Sequence, residues 1–240
     1  ECIERLMARF DDEQVGMVDA ELRFDADHSE VGRSQGWYWR YERRVRRLES
    51  ELGLLAVGSG ACLAVRRNLL RTLPVNVGED CVVPLMVVAS GRRVVQEPTA
   101  LAWDSMPSDP KRELQTRARM TARNIIGTLS YPRLLNPISN PGLAFGLWSH
   151  KLLRWLSPLW LFLLLAGSIA LGFAGSAWRL VWMVPASLAI LAVLGANAQH
   201  LRVRVPVAGA IWSFMLANLG FAWGIVKACS GRTITRYSSR

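Results

Sequence analysis

Hydrophobic and polar positions follow two different patterns along the 240 residues of this chain. Up to about residue 140, charged residues interrupt the apolar ones every few positions, as in a soluble α/β domain that buries its core in water. Beyond that point, long uncharged apolar runs dominate, which is typical of helices that cross a membrane. The pattern therefore predicts a soluble α/β part over residues 1–140 and an α-helical membrane region over residues 141–240.

Apolar spacing predicts the elements of the soluble part. The alternation over Val15–Phe24 predicts a strand, and a row of apolar residues three or four positions apart predicts a long helix over residues 36–55. Residues 3–10, 94–102 and 113–124 are predicted to form a helix, a strand and a helix.

The predicted helix over residues 36–55 has a strongly basic side. A run of like charges usually marks a solvated face, although a face turned toward a membrane or a phosphate group fits the same pattern. Its five arginines are Arg40, Arg43, Arg44, Arg46 and Arg47.

The membrane region contains three apolar runs, each close to the roughly 20 residues that cross a bilayer core. Residues 155–175 and 180–198 are predicted to form a helical hairpin with a tight turn at 175–179. The third run, residues 205–226, has basic residues at both ends. It therefore either crosses against the positive-inside tendency or enters the membrane and returns on the same side.

The segment before the first run, residues 143–154, mixes apolar and cationic side chains. That mixture favours a helix lying in the membrane interface, and a plain connecting helix is the alternative.

The net charge of +10 indicates an anionic partner, either nucleic acid or a membrane surface. Basic residues flank the apolar runs, where they would face anionic lipid, and no aromatic stacking platform accompanies them. We therefore expect membrane lipid as a partner and no nucleic acid. The flanking residues are Lys151, Arg154, Arg202, Arg204, Arg232 and Arg236.

Two short motifs of the soluble part carry candidate chemistry. The small residues Gly58-Ser59-Gly60-Ala61 let the backbone approach a ligand closely, although such runs more often form ordinary turns. Glu79 and Asp80 follow Gly78 and precede an apolar run. They can cap a helix or supply a carboxylate general base that takes a proton from a hydroxyl group.

A third motif is basic. Arg117, Arg119 and Arg123 are spaced to share parts of one helical face. Guanidinium groups bind diphosphates through charge-assisted hydrogen bonds, so this run is a candidate diphosphate site.

Taken in order, these stretches resemble the family-2 glycosyltransferases that make or extend surface polysaccharides, including cellulose- and hyaluronan-synthase-like enzymes. The resemblance covers nearly the whole chain and includes the apolar runs that follow the soluble part. It rests on the runs Tyr38-Trp39-Arg40-Tyr41-Glu42, Gly58-Ser59-Gly60-Ala61 with Arg66-Arg67, Gly78-Glu79-Asp80, residues 117–124, and Ser149-His150-Lys151-Leu152-Leu153-Arg154-Trp155.

The resemblance implies an inverting transfer from a nucleotide sugar on a GT-A-type fold, of which residues 1–140 would be the C-terminal, acceptor-side half. Asp80 stands where the family has its catalytic base, with Glu79 beside it in the acidic pair. The run Gly58-Ser59-Gly60 matches a small-residue loop near the acceptor. Arg119 stands where the family's Gln-x-x-Arg-Trp motif has the arginine that helps to hold the donor diphosphate, with Arg117 and Arg123 as neighbours.

Two departures from the family pattern matter. Met120 replaces the motif's tryptophan on the acceptor side, and Thr116 replaces its glutamine. The tryptophan stacks on the acceptor sugar in the family, so transfer of one or a few sugars is expected more than processive polymerisation.

The second departure concerns the metal. The family's Asp-x-Asp motif holds Mg²⁺ or Mn²⁺ on the donor diphosphate and would precede the first helix of this chain. Asp25 and Asp27 have the same Asp-x-Asp spacing. However, they come after the predicted strand at residues 15–24, whereas the family's motif comes before the corresponding strand. We therefore expect the ligands of the metal, and the donor-binding half, to lie upstream of Glu1, and residues 1–240 alone to be inactive.

The resulting prediction is a multi-pass cell-membrane enzyme with a cytoplasmic catalytic part. It would move a sugar from a nucleotide sugar, a UDP-sugar by first expectation, to a lipid or growing glycan. The alternative is a non-catalytic membrane partner with a degenerate transferase domain, which would need neither Asp80 nor the arginines at 119 and 123.

Overall fold

The computed structural model describes residues 1–24, 30–104, 110–174, 181–201, 203 and 205–231, with residues 30–38 and 174 described by their main chain. The chain is mixed α/β and mostly helical, with one small sheet, as the composition pattern predicts. The strands are β1 Val15–Phe24, β2 Leu63–Val65 and β3 Arg93–Asp104. The helices of the first part are α1 Cys2–Ala8, α2 Glu30–Glu51, α3 Glu79–Ala89 and α4 Pro110–Leu129.

The sheet has the strand order β2-β1-β3, so β1 is its central strand. β2 pairs with β1 antiparallel and β3 pairs with it parallel, with register shifts near Val15 and Ala20. Apolar side chains on one face of β1, such as Val18, pack against α1, whereas Met17 on the other face packs against α3. β1 is buried on both faces over its first eight residues, and its bounds match the predicted strand.

Helix α2 begins six residues earlier and ends four residues earlier than the apolar pattern predicts. It ends where it does because Gly53 has a φ of 68°, a left-handed conformation that glycine adopts readily at helix ends. The main-chain N–H groups of Leu54 and Leu55 then turn back to bind the carbonyl of Glu49.

Short helical pieces join the two parts. Helix α5 (Pro141–Gly146), a π-helical turn (Leu147–Leu152) and helix α6 (Leu153–Trp155) follow one another without a break. Leu143 and Leu147 of this segment pack in the same core as Leu85 of α3. The core of the soluble part therefore extends past the predicted boundary at residue 140.

Three long apolar helices complete the chain: α7 Ser157–Ala174, α8 Met183–His200 and α9 Pro206–Cys229. By length and composition α8 and α9 can each cross a membrane, and the pair 141–155 and 157–173, bent by 60°, makes a third candidate span if it counts as one. The described residues thus include helices that are long and apolar enough to cross a membrane, as the apolar runs predict.

Trp182 approaches Gly172 closely, but α7 and α8 otherwise make little contact with each other and both pack on α9. The turn at 175–179 lies outside the described residues, so the helical hairpin stays a prediction. The third run is one uninterrupted helix of 24 residues, α9, so the segment that would enter and return is not seen. Its N-terminal part packs on α8, where the indole N–H of Trp212 donates to Gln199 at 2.7 Å.

The C-terminal part of α9 packs on α4 of the soluble part. There a Cβ on Gly220 would lie 2.8 Å from the Cβ of Arg117, and a Cβ on Gly224 would lie 2.6 Å from that of Thr121. Ser157 at the start of α7 donates to Asn218 of α9 at 2.5 Å. The two parts of the chain are thus joined by direct helix packing.

Candidate active site

The strongest candidate site is a pocket of about 220 Å³ between the start of α3, the loop before β2 and one face of α4. It gathers most of the residues that the sequence singles out. Its lining residues are Ser59, Gly60, Ala61, Gly78, Glu79, Asp80, Asp104, Arg119, Met120, Arg123 and Asn124.

The acidic pair lies at the first turn of α3, directly after Gly78. Asp80 is half-buried, and its partial removal from water, followed by the negative charge of Glu79, raises the pKa of its carboxyl group above the ordinary value. Lys151 acts in the opposite direction but does not cancel these effects. Glu79 is exposed and pairs with Arg123 at 3.0 Å. The two carboxylates of the pair are therefore chemically distinct.

The small-residue loop packs directly against Asp80. The N–H of Gly58 donates to the main-chain carbonyl of Asp80 at 2.8 Å. Gly60 has a φ of 75°, and a Cβ there would lie 3.2 Å from the Cβ of Asp80. Glycine at this position thus allows both the left-handed turn and the close approach to the carboxylate.

The side chain of Asp19 of β1 binds the same loop through hydrogen bonds. Its Oδ1 accepts two hydrogen bonds from Ser59, from the main-chain N–H and from the hydroxyl group, each at 3.0 Å. Its Oδ2 accepts from Nη2 of Arg46 at 2.6 Å, and that nitrogen also donates to the carbonyl of Val57. Burial raises the pKa of Asp19, against the opposing charge of Arg46.

Two members of the predicted solvated face of α2 are therefore ion-paired. Arg46 is buried and pairs with Asp19, and Arg47 binds Glu21 of β1 through its Nε at 3.1 Å. The solvated-face interpretation is wrong for Arg46, which is buried against Asp19 of β1. Arg47 pairs with Glu21, but its side chain stays 44% exposed, as a solvated face requires.

Arg119 and Arg123 lie together on the α4 wall of the pocket, one turn apart. Arg123 is oriented by the carbonyl of Val77, which accepts from its Nε at 2.8 Å, and by Glu79. Met120, on the same wall, is 45% exposed and faces the pocket.

Arg117 does not line the pocket. It pairs with Glu113 at 2.8 Å and packs against Gly220 of α9. Two residues along a helix correspond to a rotation of about 200°, so Arg117 and Arg119 face nearly opposite directions. The predicted set of three arginines is corrected to two.

One pocket residue, Asp104, lies outside the motifs quoted from the sequence, and two others, Gly78 and Asn124, belong to those motifs but were given no role. Asn124 follows Arg123 and shares the pocket-facing side of α4, so helical spacing could have identified it. Asp104 ends β3, at the carboxyl end of parallel strands where α/β sheets commonly bind ligands. A Cβ on Gly78 would lie 2.3 Å from Oδ1 of Asn124 and 2.7 Å from Oδ1 of Asp80, so any other residue there would have to displace these two pocket side chains.

Among the described residues, no group of three or more His, Cys, Asp or Glu side chains could hold a metal ion. The described pocket residues therefore do not form a site for the Mg²⁺ or Mn²⁺ that the resemblance implies. Asp25 and Asp27, the imitation of the metal motif, lie outside the described residues.

No protein-family model matches the chain, and no curated protein matches it.

Proposed function

We propose that this chain is the acceptor-side part of an inverting membrane glycosyltransferase that transfers a sugar from a nucleotide sugar to a lipid or a growing polysaccharide. The observation that carries the proposal is the pairing, in one pocket, of a half-buried carboxyl group with raised pKa, Asp80, and two guanidinium groups, Arg119 and Arg123. A general base and a diphosphate clamp are the two functions that such a transfer needs from the protein.

Asp80 would act as the general base. Its carboxylate takes the proton from an acceptor hydroxyl group while the hydroxyl oxygen attacks the anomeric carbon of the donor sugar. The bond from that carbon to the diphosphate breaks on the opposite side, so the configuration inverts and the nucleoside diphosphate leaves. The raised pKa favours this role, because a base is most effective when its pKa lies near the working pH.

Arg119 and Arg123 would hold the leaving diphosphate. Arg123 is already oriented by Val77 and Glu79, so little side-chain freedom remains to be lost when a ligand binds. A planar guanidinium group can donate two parallel hydrogen bonds to a phosphate, which suits the charge that develops as the diphosphate departs.

Met120 and the small-residue loop form the acceptor side of the proposed site. Met120 supplies a flexible apolar surface where the resembled family has a flat indole ring. A thioether side chain does not provide an extended stacking platform for a sugar ring. We therefore propose transfer of one or a few sugars, with UDP-sugars as the first donors to test.

The proposal places the protein in the cell membrane as a multi-pass protein, with the pocket on the cytoplasmic side, where nucleotide sugars are available. Two helices, α8 and α9, are long and apolar enough to cross, which supports this location. A lipid-linked acceptor could then reach the pocket along α4, the helix that contacts both the pocket and α9.

The test is release of nucleoside diphosphate from a panel of nucleotide sugars by membranes that contain the protein expressed from its full gene. With the right donor, Asp80→Asn should lower turnover by about 10²–10⁴-fold, the usual contribution of a general base. Glu13→Gln, which removes an exposed acid outside the pocket lining, should leave turnover unchanged.

The stability of Asp80→Asn separates lost chemistry from lost folding. A carboxyl group with a raised folded-state pKa stabilises the protein fully below its unfolded value of about 3.9 and loses that contribution as pH rises through the folded pKa. Asp80→Asn should therefore be at least as stable as the native protein at neutral pH. Turnover equal to the native protein would remove the base assignment. No release from any donor, with the native protein folded and lipid acceptors supplied, would favour the non-catalytic partner instead.

A further inference from the structure

A second concave region lies on the outer side of α2, away from the pocket described above. This arginine cleft has a volume of about 520 Å³. Its lining is dominated by five arginines, with two glutamates among them. The arginines are Arg23, Arg40, Arg43, Arg44 and Arg47.

The positive charge of the arginine cleft is only partly balanced. Glu21 is almost fully buried and is shared by Arg23, at 3.3 Å, and Arg47, at 3.1 Å. Across the stretches of chain that the structure describes, the side chains of Arg43 and Arg44 have no carboxylate partner. Two guanidinium groups are thus available to an anion from outside.

The arrangement of these arginines opposes helix formation. Arg40 and Arg44 are four residues apart on α2, as are Arg43 and Arg47, and like charges at that spacing destabilise a helix. An anion among the guanidinium groups would turn this repulsion into charge-assisted hydrogen bonding.

Helix α2 lies at the base of the membrane region. Glu42 on its inner side binds His150 and Arg154 at 3.0 Å, a few residues before α7 begins at Ser157. The helix therefore cannot lie far from the point where the chain would enter a bilayer.

The outer surface of α2 and the turn directly after it also expose a row of large apolar side chains beside the arginines. Tyr41, Leu48 and Leu52 are 63%, 49% and 70% exposed. Cationic and apolar residues side by side on one exposed helix are the combination that binds the interface of an anionic membrane.

We propose that the arginine cleft binds the phosphate headgroup of an anionic membrane lipid while the row of Tyr41, Leu48 and Leu52 enters the bilayer interface. Charge complementarity and the position of α2 beside the start of α7 support a lipid as the occupant. The proposal does not depend on glycosyltransferase activity, because it concerns a surface outside the Asp80 pocket.

The test uses the full chain in a nonionic detergent and follows its thermal unfolding. Dihexanoyl phosphatidylglycerol, a soluble anionic lipid, should raise the unfolding temperature in a saturable way, because a ligand that binds the folded state stabilises it. Dihexanoyl phosphatidylcholine, which carries no net charge, should not. Arg43→Gln with Arg44→Gln should weaken the effect at least about tenfold, whereas Arg44→Gln alone should weaken it less.

The matched control is Arg67→Gln with Arg71→Gln, which removes the same charge from exposed positions outside the cleft. This control should bind phosphatidylglycerol like the native chain; an equal loss would mean that only bulk charge matters and would overturn the proposal. Native-like binding by the Arg43/Arg44 variant would also overturn it. An equal shift with inorganic phosphate at the same concentration would assign the cleft to a soluble anion and overturn the lipid as occupant.

Discussion

Adjacent carboxylates at the start of α3 have different roles because their surroundings differ. Glu79 is exposed, and its carboxylate forms an ion pair with the guanidinium group of Arg123 at 3.0 Å. Asp80 is half-buried beside the small-residue loop, and its pKa is raised first by its partial removal from water and second by the charge of Glu79. The residue pattern alone does not separate the two carboxylates, and the assignment of the base to Asp80 came from the family resemblance. The structure adds that Glu79 pairs with Arg123 whereas the pKa of Asp80 is raised, which fits the proposed division of roles.

Removing the charge of Glu79 should therefore change the pH dependence of the proposed reaction. In Glu79→Gln one of the causes that raise the pKa of Asp80 is absent, so the acidic limb of the rate–pH profile should move to lower pH. Donor KM should rise by up to about fivefold, because an exposed ion pair contributes at most about 1 kcal/mol. Nucleoside-diphosphate release, measured from pH 5 to 8 at several donor concentrations, gives both the rate–pH profile and the donor KM.

Glu13→Gln serves as the control for that profile, because it removes an exposed acid that does not line the pocket. An acidic limb that stays in place, or moves to higher pH, would show that Glu79 does not act on the base.

Among the elements, α4 has contacts to satisfy on two sides at once. One side of it carries Arg119 and Arg123 in the pocket, and the other packs on α9 through Ala118 and Thr121. The close approach is possible because Gly224 of α9 has no side chain, so the backbone of α4 comes near its Cα. The position of the arginine wall thus depends on an apolar helix of the other part of the chain.

The contact between α4 and α9 predicts opposite effects for two glycine substitutions. A Cβ at Gly224 would lie 2.8 Å from the carbonyl oxygen of Ala118, so Gly224→Ala should destabilise the protein by about 1–3 kcal/mol, the usual cost of overpacking. Gly167 of α7 has open space around it, and Gly167→Ala should be neutral or stabilise by up to about 1 kcal/mol. Unfolding in detergent measures both, and equal effects would contradict the packing described.

At the scale of the whole molecule, a buried ionic cluster joins α2 to the segment that leads into α7. The carboxylate of Glu42 accepts hydrogen bonds from Nζ of Lys151 at 3.3 Å and from Nη1 of Arg154 at 3.0 Å. Nε2 of His150 lies 3.0 Å from the same carboxylate. Burial alone would raise the pKa of Glu42, but the charges of Lys151 and Arg154 and the hydrogen bond from His150 outweigh it and hold the pKa far below its usual range. The carboxylate is therefore ionised at any working pH.

Removing this charge should be costly. Glu42→Gln leaves the buried cation of Lys151 without its counter-ion, and breaking a buried pair in this way costs about 3–5 kcal/mol. Because the pKa of Glu42 is lowered on folding, its contribution is complete above the unfolded value of about 4.3 and is lost only as pH falls through the folded value. Glu42 also helps to raise the pKa of His150, a contribution that is complete below the unfolded value of about 6.5 and is lost as pH rises through the folded value. The destabilisation should therefore be largest at pH 6 and decrease toward pH 8 in thermal or denaturant unfolding.

Two further variants test the cause. Glu42→Gln combined with Lys151→Met removes both partners and should recover part of the loss, as expected when the unpaired charge is the source of the cost. Glu51→Gln, at an exposed position of the same helix, should stay within about 0.5 kcal/mol of the native protein. No recovery in the double variant would mean that the cluster does not act as a pair.

The sequence was sufficient for elements that carry their own periodicity. The bounds of β1 follow from alternation alone, and the predicted strand over residues 94–102 lies within β3. The end of α2 was missed because apolar spacing continues through Leu55, whereas the left-handed turn at Gly53 ends the helix. Periodicity describes one face of an element and does not show where its backbone turns.

Predictions that depend on a distant partner were less complete. Arg46 has the same sequence context as Arg44, yet Asp19, 27 residues earlier, pairs with Arg46 and buries it. His150 and Lys151 were expected to face a membrane interface, but they bind Glu42, more than 100 residues earlier. Asp104 reaches the pocket through sheet pairing that no local pattern contains. The GT-A fold stays a prediction of the resemblance.

The cluster around Glu42 also constrains the order in which the chain can mature on the ribosome. Synthesis reaches Glu42 109 residues before Lys151 and 112 residues before Arg154. At about 5–20 residues per second, several seconds pass during which α2 has a carboxylate destined for burial and none of its three counter-ions. The soluble part cannot complete its core until the segment next to the first apolar helix has emerged.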